Sequence, residues 1–431
     1  MSKNHKNTNE RVPGFSFVNK KKNITEYLLN KNGLTILFVK VAGSPAITSG
    51  IVYHVGSQNE GKGETGLAHM LEHMLFKPTK GSALTWKELE EKGAVLNANT
   101  WLDRTMYYFS LPKKYIGDML EVEAHRMRNV QIVDKEFIPE RTNVLSEYEM
   151  YNSRPESALE WNMTSVAFGL HGYKHDTIGF RGDIEMYTTA KLNKFYDRYY
   201  WPDNATLMII GDVDEMSVLQ QVKKFFGNIK RPGSRQEQVP TTPEPPQEGV
   251  RRVTLQRNTP IRNINLAFKA PSYTEKDWII LLLALSYLTE GKTSVLYQRL
   301  VDTKLATSVQ GLLYPSKDPF LSFITIHATE EASYTKIEQI VFSELFQLQQ
   351  SKISKSKLSE LKQSLHTAEL FERDGTLSIA SVLTEYISAS TWQCYFDIFD
   401  DIKTITQNDI QQVAKKYFLQ KKATIGTIEK I

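Results

Sequence analysis

His69, Glu72 and His73 stand in the run Gly66-Leu67-Ala68-His69-Met70-Leu71-Glu72-His73-Met74-Leu75-Phe76, whose apolar residues recur with a helical period. On a helix, side chains four positions apart lie one above the other, so both imidazoles can reach a single ion. Glu72 flanks the same face, close enough to act on a metal-bound water without being a ligand. The order His-x-x-Glu-His reverses the zinc-protease signature in which two histidines hold zinc and the glutamate is the general base. Catalytic zinc takes three protein ligands and a water, so a third ligand is required.

The segment 134–151 has helical periodicity and carries Glu136, Glu140, Glu147 and Glu149. Glu140 and Glu147, two turns apart, share a face, while Glu149 points to the opposite side. Either Glu147 or Glu140 could supply the third ligand, with the other orienting a histidine from behind. The same acids could equally solvate an exposed helix. The other histidines suggest less. His54 reads as packed beside its strand, and His171 and His175 flank Gly172 in a stretch that reads as loop. His327, His366 and Cys394 have no supporting constellation.

The chain has 431 residues, 41% hydrophobic and 24% charged, the composition of a soluble globular protein built from more than one unit. With Cys394 as its one cysteine it can form no disulfide framework or cysteine metal site, so a metal must use His, Asp or Glu. The net charge of +4 comes without basic blocks or aromatic-basic interleaving, which argues against nucleic acid as a partner. The first fifteen residues lack the apolar core of a secretory signal. The longest apolar run, around 278–288, is too short to cross a bilayer. A cytoplasmic protein without membrane contact is the expectation.

The elements that must position the histidines follow in order. Residues 24–29 and 34–39 read as a hairpin around Asn30-Lys31-Asn32-Gly33, and 46–55 as a buried strand. A glycine-studded run, 56–66, leads into the histidine helix, with Thr65 or Glu64 as its cap and an end near Pro78. Residues 85–92 read as a short helix, 94–99 and 105–111 as paired strands, and 113–128 as an amphipathic helix. After 134–151 come a helix at 192–200, a strand at 205–210 and a helix at 217–226. Residues 231–249 are proline-rich and nearly without large apolar side chains, the composition of a linker.

The second half repeats the plan, with strands at 251–257, 263–268 and 320–328 and helices at 274–288, 335–349 and 355–371. Its end, 413–418 with 423–426, echoes 196–200 with 205–211. A duplicated unit of about two hundred residues is the economical reading. The expected division is a disordered tail (1–22), a metal-bearing domain (23–230), the linker (231–249) and a homologous domain without a metal site (250–431).

Residues 23–430 resemble the inverted zinc metallopeptidases that include pitrilysin, insulin-degrading enzyme and the mitochondrial processing peptidase. The resemblance rests on Val55-Gly56-Ser57 with Glu60 and the run 66–77, on residues 93–100 with their Leu96-Asn97-Ala98, on Glu140-Arg141-Thr142-Asn143-Val144-Leu145-Ser146-Glu147, and on Tyr200-Trp201-Pro202-Asp203-Asn204 with Gly211-Asp212-Val213. It implies an α+β fold of two homologous domains, each an antiparallel sheet packed with helices, making half of a clamshell chamber. It implies zinc held by His69, His73 and Glu147, with Glu140 supporting the site and Glu72 as the general base of a zinc endopeptidase. Asn97 and Ala98 would lie on the strand that binds substrate by strand addition.

One departure bears on partners. Many members carry, after a glycine-rich loop in the second domain, an arginine followed seven residues later by a tyrosine, and the pair grips substrate opposite the zinc. The loop corresponds to Thr289-Glu290-Gly291-Lys292-Thr293-Ser294, and alignment places Leu300 and Thr307 at the two positions; Arg299 is followed seven residues on by Ala306. The chain thus resembles the zinc-bearing subunit of a two-subunit bacterial-type peptidase, whose sister chain supplies the clamp, with a homodimer as the alternative. The rival from another class is a non-catalytic subunit of the same fold, such as the core subunits of the respiratory cytochrome bc complex.

Overall fold

The computed structural model describes residues 12–77, 80, 85–230 and 242–431. Its first sheet is built from β1 (Phe15–Lys21), β2 (Ile24–Leu29), β3 (Leu34–Lys40), β4 (Ala46–Tyr53), β5 (Val95–Thr100), β6 (Thr105–Pro112) and β7 (Ala205–Gly211), in the spatial order β1-β2-β3-β7-β4-β6-β5. The second contains β8 (Arg251–Arg257), β9 (Asn263–Lys269), β10 (Ala306–Leu313), β11 (Leu321–Ala328) and β12 (Thr424–Lys430), in the order β10-β11-β9-β12-β8.

Without the β1–β2 hairpin the first sheet reads β3-β7-β4-β6-β5, and the second, from its other edge, β8-β12-β9-β11-β10. The two orders are the same. In each unit the last strand enters between the first two. Strand β7 runs parallel to β3 and antiparallel to β4, and β12 runs parallel to β8 and antiparallel to β9. Each sheet is therefore antiparallel apart from one parallel pair, and the fold is α+β with two homologous domains.

Alternate residues point to opposite faces, and both faces are covered, so the central strands β4, β7 and β9 are buried at nearly every position. Ile51, Leu207 and Ile209 pack with Leu67, Met70 and Leu71 of the first half. Their neighbours Val52, Met208 and Ile210 turn to the other face and join Leu383 and Ile387 of the second half. That second face is covered by an exchange of helices. Helix Thr376–Ala389 from the second half packs on β4 and β7, and helix Pro155–Ala167 from the first packs on β8 and β12. Gly426 permits the second contact, since a Cβ there would stand 2.3 Å from Met163 Sδ. Leu159 and Met163 are fully buried in this seam, each worth roughly 1.5–3 kcal/mol of transfer free energy.

Several expectations change. Phe15–Lys21 forms β1 against β2, so this part of the 1–22 tail is a strand; residues 1–11 lie outside the described residues. Pro78 and linker residues 231–241 also lie outside them. Residues 242–249 carry no helix or strand, yet Glu244 accepts the backbone N–H groups of Gly169 (2.8 Å), Leu170 (2.9 Å) and His171 (3.2 Å), which fastens this piece of linker to the first half. The helix expected at 113–128 starts at Ile116, and the one expected at 274–288 spans Asp277–Thr289. Among the described residues no helix is long and apolar enough to cross a membrane.

Candidate active site

The histidine helix spans Leu67–Met74. Its cap is neither Thr65 nor Glu64. Gly66 is the N-cap residue, at φ 90°, and the carboxylate of Glu60 accepts the N–H of Gly66 (2.6 Å) and of Ala68 (2.8 Å). A Cβ on Gly66 would lie 2.3 Å from the Ile178 carbonyl oxygen and 2.4 Å from the Tyr187 hydroxyl, so this close approach requires glycine. Thr65 instead donates its hydroxyl to Asp183 at 2.6 Å, and Glu64 pairs with Arg198 at 3.2 Å. Burial pushes the Glu60 carboxyl well above the usual range, against the pull of its two N–H donors. Leu67, Ala68, Met70, Leu71 and Met74 bury one side of the helix, and His69, Glu72 and His73 emerge on the other.

The helix Asp134–Ser153 crosses the histidine helix and brings up both glutamates. His69 Nε2 and His73 Nε2 are 3.3 Å apart, and Glu147 Oε2 lies 3.6 Å from the first and 3.5 Å from the second. A tetrahedral ion with bonds of about 2.0–2.1 Å separates its ligand atoms by about 3.3–3.4 Å. The triangle of donors therefore has the size of a tetrahedral face, and two imidazoles with one carboxylate are a zinc-type donor set. These residues fit such an ion.

Glu140 stands behind His73, its Oε2 3.3 Å from Nδ1, and is itself held by Lys77 and by Asn143 Nδ2 at 3.2 Å. The two glutamates that spacing could not separate thus take different nitrogens of one ring. Burial lowers His69 to about 4, helped by the neighbouring His73 and opposed by Glu147. Burial also pulls His73 down, but its bond to Glu147 and the charges of Glu72 and Glu147, with the bond to Glu140, leave it raised. Glu147 is lowered chiefly by its bond to His73. Glu140 is lowered too, because Lys77, His73 and Asn143 together outweigh burial.

Glu72 is raised by burial, an effect that Thr100 and His73 oppose. Its Oε2 accepts the Thr100 hydroxyl at 2.5 Å. Thr100 ends β5, the edge strand, which among the described residues pairs with β6 alone. Asn97 and Ala98 lie on this strand and, with His69, Glu72 and Glu147, line a cleft of about 560 Å³. Glu160 and Trp161 of helix Pro155–Ala167 and Tyr314 of the second half close it.

Leu300 is fully buried in the core of the second half, and Thr307 lies at the exposed start of β10. Arg299 pairs with Glu344 at 2.9 Å. His171 and His175 do not come together on one ion: His171 faces Asp318 at 3.3 Å, and His175 faces Glu60 at 3.7 Å. Glu60, Thr100 and the second half's share of the cleft were missed by sequence reasoning. Nothing in the local sequence points to Tyr314, whereas Glu60 and Thr100 both lay within quoted blocks: the short distance of Glu60 from Gly66 was an available signal, and the bond of Thr100 to Glu72 was not.

Two family descriptions match the chain: "Insulinase (Peptidase family M16)" over residues 36–179 and "Peptidase M16 inactive domain" over residues 187–365. The chain is 28% identical to the zinc protease PqqE of Helicobacter pylori over 400 residues, 91% of this chain and 90% of that one. It is 22% identical to a probable mitochondrial-processing peptidase subunit beta of Arabidopsis thaliana, over 92% of this chain and 77% of that one. The crystal structure of a protease from Helicobacter pylori superimposes with a TM-score of 0.89 at 27% identity, over 94% of this chain and 99% of that one. Pitrilysin shares the fold, with a TM-score of 0.80 at 16% identity over 96% of this chain but 46% of the pitrilysin chain. The zinc-type donor triangle lies in the half that matches the first description, the half that matches the second shows no such donor group among its described residues, and the chain belongs to peptidase family M16.

Proposed function

We propose that this chain is the metal-bearing subunit of a zinc-dependent endopeptidase acting on peptides or unfolded segments. The observation that carries the reading is the triangle of His69 Nε2, His73 Nε2 and Glu147 Oε2, with the carboxylate of Glu72 beside it in a cleft walled by an unpaired strand edge. Zinc, when bound by these three residues, supplies Lewis acidity that brings a coordinated water toward neutral pKa. Glu72 takes the proton of the water whose oxygen adds to the peptide carbonyl, and returns it to the amine as the C–N bond breaks. Glu140 holds His73 in the tautomer that leaves Nε2 free.

An extended peptide pairing with β5 at Asn97 and Ala98 is held by its main chain, which favours broad sequence tolerance. The resemblance of fold to pitrilysin, of which this chain spans about half, supports a second, homologous half in the working assembly. So does the likeness to a protein named as a subunit of the mitochondrial-processing peptidase. That partner would supply the arginine and tyrosine clamp for which Leu300 and Thr307 give no equivalent; a second copy of this chain is the alternative. A non-catalytic subunit would have no need of the donor triangle.

The test is cleavage of a quenched fluorescent peptide by the purified chain, alone and mixed with candidate sister subunits, with zinc content measured in parallel. Stoichiometric zinc and cleavage that Glu72→Gln abolishes are expected. Absence of zinc, or cleavage undiminished in Glu72→Gln, would overturn the reading. Activity of the chain alone would identify a homodimer as sufficient.

A further inference from the structure

We infer that Thr100 is the positioning residue for Glu72, and that the second half of the chain acts on the reaction by fixing Thr100. The inference rests on the proposed role of Glu72 as base. Thr100 is 5% exposed, and its Oγ1 lies 2.5 Å from Glu72 Oε2 and 3.4 Å from Thr105 Oγ1. Thr105 donates its one hydroxyl proton to the Val55 carbonyl oxygen at 2.9 Å. An ionised carboxylate can only accept, so the protons have one consistent assignment: Thr105 to Val55 and Thr100 to Glu72. A hydroxyl-to-carboxylate bond of this length belongs to the short, charge-assisted class.

The terminal torsion of a glutamate is broad, so an unheld carboxylate samples many planes. Fixing Oε2 restricts the planes the carboxylate can take beside the cleft that Glu72 lines, and misplacement by about 1 Å can cost about a hundredfold in rate. Thr100 is in turn held by the turn that follows it. Arg104 donates to Asn99 Oδ1 at 2.7 Å and to the Asn99 carbonyl oxygen at 3.2 Å, and pairs with Glu385 of helix Thr376–Ala389. Asp103 accepts the Tyr173 hydroxyl at 2.8 Å and the N–H of Lys317 at 3.0 Å. Glu385 and Lys317 belong to the second half. The strand that offers its edge to a peptide therefore also aligns the base, and its end is pinned by residues of the second half.

The experiment compares Thr100→Val, which removes the hydroxyl at nearly constant volume, with Thr100→Ser, which keeps it, in the complete peptide-cleaving assembly. Zinc content and a crystal structure of each variant are determined alongside. Thr100→Val is expected to lower kcat by about 10- to 100-fold with KM within about twofold and zinc content unchanged, and to show the Glu72 carboxylate rotated. Thr100→Ser is expected to restore kcat to within a few-fold. If Thr100→Val does not fold, Thr100→Ala is read by the same criteria. Wild-type kcat and an unmoved carboxylate in the hydroxyl-free variant would overturn the inference, as would a Thr100→Ser variant no better than Thr100→Val. Glu72→Gln separates the two ideas. If it cleaves normally the base assignment fails, and the carboxylate orientation in the Thr100→Val crystal still decides the role of Thr100.

Discussion

Glu140 Oε2 lies 3.3 Å from Nδ1 of His73, while Nε2 of the same ring faces His69 and Glu147. A proton on Nδ1, shared with Glu140, leaves the lone pair on the nitrogen that turns toward the other two donors. Lys77 and Asn143 fix the carboxylate from its far side. Glu140→Ala should therefore weaken zinc binding by about 10- to 100-fold without removing a ligand. Glu147→Ala, which removes a corner of the triangle, should weaken it further. Competition with a chromophoric chelator measures both, and equal affinities for Glu140→Ala and wild type would rule out the tautomer argument.

Glu60 sets where the histidine helix begins. Its carboxylate is buried and takes two of the backbone N–H groups that the first turn cannot satisfy internally. Glu60→Ala should cost roughly 1–3 kcal/mol, since both donors lose their partner at a largely buried position. Urea unfolding of the zinc-free chain gives the number directly. A change of only a few tenths of a kcal/mol would mean that another group caps the helix.

How much of this was legible in the sequence depends on how local the cause was. The histidine helix, the hairpin of β2 and β3, and the strands β5 and β6 follow from periodicity and turn residues that lie side by side in the chain. The share of Glu140 and Glu147 in the site was legible as a pair but not as roles, because residues two turns apart share a face and only the approach of the second helix decides which ring nitrogen each meets. What escaped was long-range. Arg104 meets Glu385, 281 positions away, and Thr100 meets Glu72 from another element. Helices Pro155–Ala167 and Thr376–Ala389 escaped because each buries its apolar face against the sheet of the other half.

The exchange of helices makes Gly426 sensitive. A Cβ there would stand 2.3 Å from Met163 Sδ and 2.9 Å from Leu159 Cδ1, both in helix Pro155–Ala167. Met163 can adapt in part, but Leu159 stands against the same point, so the added methyl finds no free space. Gly426→Ala should destabilise by about 1–3 kcal/mol as an overpacking substitution. Because helix Pro155–Ala167 also lines the cleft, the same variant should alter KM for peptide more than a surface substitution of equal exposure does. Thermal unfolding and steady-state kinetics check the two parts separately, and an unchanged melting temperature would show that the seam has slack.

Lys269 ends β9, where its Nζ is buried without a hydrogen-bond partner and lies 2.8 Å from the centroid of the Phe168 ring. Burial lowers its pKa from 10.5 to about 7, with Glu244 opposing the shift and Arg251 reinforcing it. Between those values the unfolded chain binds a proton that the folded chain gives up. Stability from this residue is therefore complete above about pH 10.5, declines as pH falls, and is lost as pH passes below about 7. Lys269→Met keeps the length of the side chain and removes the titrating group. It should be more stable than wild type at pH 7 by up to roughly 4 kcal/mol, and the difference should close as pH rises past 10. Taking the difference between the two proteins cancels the other titrating side chains, so urea midpoints at pH 7, 8.5 and 10 isolate Lys269. A difference independent of pH would show that Lys269 keeps its proton in the folded chain, and that the charge is stabilised there by the Phe168 ring and Glu244 rather than expelled by burial.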